Sequence, residues 1–202
     1  MTDPLDVALI VIAALERAAV RYTVGGSVAS SFSGEPRASL DVDIVVDLRV
    51  EDIDRLIDEL GDEFYADSDA IARAVRTASN VNVIHQPSGI KVDLFVAGSP
   101  LEMRQLDRRI RVPLSVQGER FIYVHSPEDI LLQKLHWYRL GGERSERQWR
   151  DVLSILVVQG DRLDEAYVTT MASQVGVADL LDRARREAGP RDSPSVGIGE
   201  PE

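Results

Sequence analysis

Apolar positions along this chain recur with two periods, and the change from one to the other marks its elements. From Leu5 to Val20 the spacing of Leu9, Ile12, Ala13, Leu15 and Ala19 behind Pro4 predicts a mostly apolar helix. Arg21 to Val24 then reads as a short buried strand that stops at Gly25-Gly26. A second strand, Asp41 to Leu48, is rich in β-branched residues at Val42, Ile44, Val45 and Val46. Helical spacing returns at Ile53, Leu56, Ile57 and Leu60 and ends at Gly61, a common helix stop. Asp67 to Ala78 predicts another helix. Asn80 to His85 and Ile90 to Val96 predict two strands joined by the turn Gln86-Pro87-Ser88-Gly89.

Beyond this point a short helix begins at Ser99-Pro100, and Ile110 to Val116 and Arg120 to Val124 predict two more strands. From Ser126 only the helical period remains. Ser126-Pro127-Glu128-Asp129 is a strong helix start, with a capping hydroxyl, proline in the first turn and acids that favour the helix dipole. Helices are expected over Pro127 to Arg139, Ser145 to Val158, Asp164 to Ser173 and Ala178 to Ala188. The expected class is α+β, a mixed β-sheet with flanking helices followed by a C-terminal helical part. Its expected divisions are an α/β core over 1–125, a helical subdomain over 126–188 and a disordered tail over 189–202. There is no internal repeat.

Composition narrows the function. Hydrophobic residues make up 44% of the 202, enough for a real core. The longest apolar run, Val7 to Leu15, is far short of the roughly 18 residues of a membrane span, and no basic region precedes it as in a signal peptide. A cytoplasmic location is the default expectation. Without cysteine there is neither a disulfide framework nor a thiolate metal site, and three histidines without ligand spacing (His85, His125 and His136) read as structural. The net charge of -11 excludes nucleic-acid binding by a broad basic face, but not local binding of a phosphate through a metal ion.

The candidate chemistry lies between Tyr22 and Val46. Gly25-Gly26 lets a backbone approach a ligand, and the helix start at Ser27 presents N–H groups to an anion. Asp41 and Asp43 stand at i and i+2 on a strand, which puts both carboxylates on one face while Val42 points into the core. Such a pair repels itself unless a cation sits between its members, and Mg2+ takes oxygen ligands of this kind. Asp93, inside Val92-Asp93-Leu94-Phe95-Val96, is a third acid that is costly unless paired or metal-bound. In the helical half, Lys134 and Asp151 interrupt otherwise apolar helix faces. Arg139, Arg144, Arg147 and Arg150 flank Leu140-Gly141-Gly142-Glu143, while Trp137 and Tyr138 read as core packing.

Gly25-Gly26-Ser27, then Asp41-Val42-Asp43-Ile44, then Lys91-Val92-Asp93-Leu94 resemble the pattern of the DNA polymerase β-type nucleotidyltransferase superfamily. Within it the chain most resembles AbiEii-like small bacterial nucleotidyltransferases, which include toxins of toxin–antitoxin pairs. The resemblance covers residues 20–96 well and 126–158 more loosely. Val28-Ala29-Ser30-Ser31 stands where the minimal antitoxin-type enzymes carry Ser-Ala-Arg-Gly, which argues against that subgroup. The resemblance implies that Asp41, Asp43 and Asp93 bind Mg2+, or Mn2+ in its place, and that Asp93 serves the attacking hydroxyl. It also implies that Gly25, Gly26, Ser27 and Lys134 hold a nucleoside triphosphate, with Lys134 and Asp151 in the active site. A plain interhelix salt bridge between Lys134 and Asp151 is the alternative. The implied function is transfer of a nucleotidyl group to an acceptor hydroxyl on a tRNA or other RNA end, or on a protein, with a cognate antitoxin as partner. Adenylylation of a small molecule such as an aminoglycoside, and an inactive nucleotide-binding or interaction protein, are the competing functions.

Overall fold

A computed structural model of the chain describes residues 3–33, 42–114 and 120–189. Helix α1 (Pro4–Arg17) starts where the sequence places it: Asp3 caps it by accepting from the Leu5 N–H at 2.8 Å, with proline in the first turn. Its inward stripe, Val7, Val11, Ile12 and Leu15, is buried. Each such side chain contributes roughly 1.5–3 kcal/mol of transfer free energy. Strand β1 (Arg21–Val24) and helix α2 (Gly26–Ser33) follow, then β2 (Asp43–Asp47). A single 3-10 turn leads into α3 (Ile53–Leu60), followed by β3 (Phe64–Tyr65), α4 (Ser68–Thr77), β4 (Asn80–His85) and β5 (Ile90–Val96). Helix α5 (Pro100–Asp107), β6 (Ile110–Pro113) and β7 (Phe121–Val124) complete the sheet region. Four helices end the described chain: α6 (Pro127–Leu140), α7 (Glu146–Gln159), α8 (Glu165–Gln174) and α9 (Ala178–Ala188).

The strands form one mixed sheet in the order β3-β4-β5-β2-β1-β7-β6. β2 and β5 run parallel at its centre, as do β1 and β7, and the remaining pairs are antiparallel. Ile44, Val46, Leu94 and Val96 point to the face that joins the main core, where α1 packs on β5, β1 and α3. By strand alternation Asp43 and Val45, with Asp93 and Phe95, take the opposite face. Helix α5 packs on β1 and β2, while α2 packs on α6 and α7 and so ties the helical end to the sheet.

The expected α+β class is the one observed. Some boundaries differ, and one strand is new. The second strand, expected from Asp41, is regular only from Asp43, and Asp41 itself lies outside the described residues. β3 has only two residues, too few for a period, and forms because Phe64 and Tyr65 pair with His85 and Ile84.

Candidate functional site

The site is built on strand register. Asp43 and Asp93 are direct partners across the parallel β2–β5 pair. Facing residues on neighbouring strands share a face, so two carboxylates stand side by side, half-buried, in the middle of the sheet. On the other flank of β2, the Gly25 N–H donates to the Asp43 carbonyl at 2.8 Å, extending the β1–β2 ladder by one step. The end of β1 thereby lies beside the first carboxylate. The chain then turns into α2 at Gly26 with φ of 59°, a left-handed value that glycine adopts at little cost. A Cβ at Gly26 would fall 2.0 Å from Asp43 Oδ2, so no side chain fits between this turn and that carboxylate.

Gly25 is equally confined, since a Cβ there would sit 2.8 Å from His125 Nε2 and 3.3 Å from Gln133 Oε1. His125 follows β7, is fully buried, and its Nδ1 lies 2.9 Å from Thr23 Oγ1. Burial lowers its pKa from 6.5 to about 3 and keeps the ring neutral. Below pH 6.5 the unfolded chain takes up a proton here that the folded chain refuses, so stability falls as pH drops through that window. A loss of about 1.4 kcal/mol is expected between pH 7.5 and 5.5, read from urea midpoints. His125→Asn, which keeps a polar partner for Thr23, is expected to flatten that slope. An unchanged slope in the variant would assign the loss to other groups.

A cavity of about 790 Å³ opens over the Asp43 face of the sheet. Its lining includes Gly26, Asp43, Val45 and Phe95, the start of α5, and residues of α6, α7 and α8. Both Lys134 and Asp151 line it, and Lys134 Nζ donates to Asp151 Oδ2 at 2.9 Å. The pair is therefore an interhelix salt bridge and part of the cavity wall at once. Gln133 Oε1 accepts from the Gly26 N–H at 3.4 Å, which links α6 to the glycine turn. Glu102 also lines the wall, but its Oε2 accepts from the Ser99 and Gly98 N–H groups as the cap of α5.

Behind the cavity, Arg108 joins the helices that form its walls. It lies 3.4 Å from Glu128, 3.9 Å from Asp129 and 4.0 Å from Asp164, and its guanidinium stacks 3.8 Å from the Tyr167 ring centroid. Tyr167 Oη donates to Asp129 Oδ1 at 2.6 Å. Burial raises the Asp129 carboxyl above its ordinary range, against the pull of Tyr167, Ser126 and Arg108. This cluster fixes α5, α6 and α8 to one another.

The structure thus brings together Gly25, Gly26, Asp43 and Asp93, and sets Lys134 and Asp151 in the wall of the adjoining cavity. Asp41 and the Ser27 side chain lie outside the described residues, and among the described residues no cluster of three metal-ligating side chains is found. One expectation is corrected. Trp137 is 46% exposed and lines the cavity, whereas Tyr138 is packed in the core as expected. His136 lines the cavity as well. Of the four arginines only Arg147 reaches the cavity; Arg139 is engaged by Asp179, at 2.6 Å, and by Glu143. Gln105 and Gln133 are wall residues that sequence reasoning missed, because a glutamine on an amphipathic helix carries no pattern of its own.

The fold has counterparts among solved structures. The antibiotic-resistance factor ANT(2'')-Ia is similar over 91% of this chain and 100% of its own, with a TM-score of 0.53 and 13% identity. An antigenic nucleotidyltransferase-like protein from Paracoccidioides brasiliensis aligns over 88% of this chain and 90% of its own, at 22% identity and a TM-score of 0.47. The family described as "Nucleotidyl transferase AbiEii toxin, Type IV TA system" matches residues 21–194, and the chain belongs to it. No curated protein matches the chain. Among the described residues, no helix is long and apolar enough to cross a membrane.

Proposed function

We propose that this protein moves a nucleotidyl group from a nucleoside triphosphate to an acceptor hydroxyl, using a divalent ion held by Asp43 and Asp93 together with Asp41. The observation that carries the reading is the Asp43–Asp93 pairing beside a glycine turn too tight for any side chain. The donor set fits such an ion: hard carboxylate oxygens, with neither cysteine nor a histidine cluster to favour zinc. When bound, Mg2+ or Mn2+ would neutralise phosphate charge and make the acceptor hydroxyl easier to deprotonate.

The chain's own residues supply placement. The Gly25-Gly26 turn and the start of α2, with Ser27, receive the triphosphate through backbone N–H groups. Lys134, held in place by Asp151, offers an ammonium donor to a phosphate oxygen at the wall. The acceptor oxygen attacks the α-phosphorus, its proton passes to the Asp93 carboxylate, and the bond to the bridging oxygen breaks. Pyrophosphate leaves with that electron pair. Positioning and charge account for most of the catalysis in such a site.

Family membership supports a toxin role, with an RNA end such as that of tRNA or a protein as acceptor, a cognate antitoxin as partner and the cytoplasm as the place of action. The test is incubation with each labelled nucleoside triphosphate, Mg2+ or Mn2+, and in turn total tRNA, protein and an aminoglycoside. Label is expected on one acceptor class in a metal-dependent manner. No transfer to any acceptor, with either ion, would sink the reading.

A further inference from the structure

Helix α5 places one polar side chain where its packing calls for an apolar one. Gln105 is 1% exposed, on the same buried side as Leu101 and Leu106, and it lines the cavity. Its Oε1 has no hydrogen-bond partner among the described residues. A buried acceptor left unpaired costs stability, and a leucine of similar size would avoid that cost. A second wall residue, Gln148 on α7, carries a buried Oε1 that likewise has no partner among the described residues. Two unpaired carboxamide oxygens in the wall of one cavity point to a ligand that supplies donors.

A carboxamide presents an acceptor and a donor side by side. Nucleobase edges present the complementary pair, which is why glutamine and asparagine read them bidentately. Trp137, half-exposed in the same cavity, offers the flat face on which a base stacks. Helix α5 packs on β1 and β2, the strands that bring Gly25 and Asp43 to the site. The cavity is therefore continuous from the glycine turn to Gln105, and its volume of about 790 Å³ suits a ligand of nucleotide size.

We propose that Gln105 reads the base edge of the bound nucleoside triphosphate and sets which nucleotide this protein takes. The proposal rests on the nucleotidyl-transfer reading above. Its test is calorimetric titration of the whole chain with each of the four nucleoside triphosphates and with inorganic tripolyphosphate, in the presence of Mn2+. The wild type is expected to prefer one nucleotide over another by about tenfold or more. Gln105→Leu is expected to bring the four within about threefold of one another, with tripolyphosphate binding unchanged and the unfolding midpoint equal or higher. Gln105→Glu, which keeps the size but replaces the donor, is expected to change the preferred base. A structural role would instead lower the midpoint of Gln105→Leu and leave the preference intact, which overturns the proposal. Equal binding of all four nucleotides by the wild type overturns it as well. If the wild type binds neither nucleotides nor tripolyphosphate, the transfer reading fails, and this proposal with it.

Discussion

Asp43→Asn is expected to lower nucleotidyl transfer about a thousandfold, a barrier increase of about 4 kcal/mol, while the unfolding midpoint moves by no more than about 2 °C. Asparagine has nearly the same shape, so the β2–β5 ladder through Asp43 and Asp93 remains. What disappears is a full negative charge on the oxygen that lines the cavity beside Gly26. An amide oxygen is a poor substitute for a carboxylate at the divalent-ion site proposed above. Loss of activity without loss of fold is therefore the outcome to look for, with Mn2+ binding reduced in parallel when followed by electron paramagnetic resonance. Transfer that stays within tenfold of wild type would remove Asp43 from the chemistry.

Gly26→Ala is expected to be nearly as damaging to activity, by a different route. The added methyl would lie 2.0 Å from Asp43 Oδ2 and 2.9 Å from its Cγ, inside any permissible contact. The carboxylate is the softer partner and must swing away, since the Gly26 backbone is fixed between the end of β1 and the first turn of α2. The left-handed φ adds about 1 kcal/mol of strain for a residue with a Cβ. A stability loss of roughly 1–3 kcal/mol is expected from chemical denaturation, together with a fall in transfer of at least about a hundredfold. A variant that lost stability but transferred label normally would show that the position of Asp43 does not matter to the reaction.

These two residues also show how unevenly the site could be read from sequence. Gly26 and Asp43 stand out in the chain because each breaks a local pattern: a glycine pair ends a strand, and an acid stands among β-branched residues. Asp93 stands out in the same way. Their adjacency is not local, because residues 43 and 93 become neighbours only through the parallel register of β2 and β5, set by which strands pair and in what order. The pairing of Lys134 with Asp151 was one of two readings open at the sequence level. Two helices packed face to face placed it in a cavity wall, so the pair is a salt bridge and a candidate for contact with substrate together.

Gln105, Trp137 and His136 mark the opposite limit. Hydrophobic periodicity assigns an aromatic on a helix to the core and a glutamine to solvent, and both assignments are reversed here. Trp137 remains half-exposed at the cavity, while Gln105 is buried with an oxygen that has no partner among the described residues. Neither fact follows from spacing, since each depends on the space left between helices from distant parts of the chain. The sequence by itself determined the α+β order of elements, the chemically distinctive acids and the glycine turn, because propensity, capping and periodicity act over a few residues. Only the tertiary structure decided which acids meet, how little room surrounds the Gly25-Gly26 turn and which side chains wall the cavity, because these follow from strand register and helix packing between residues far apart in the chain.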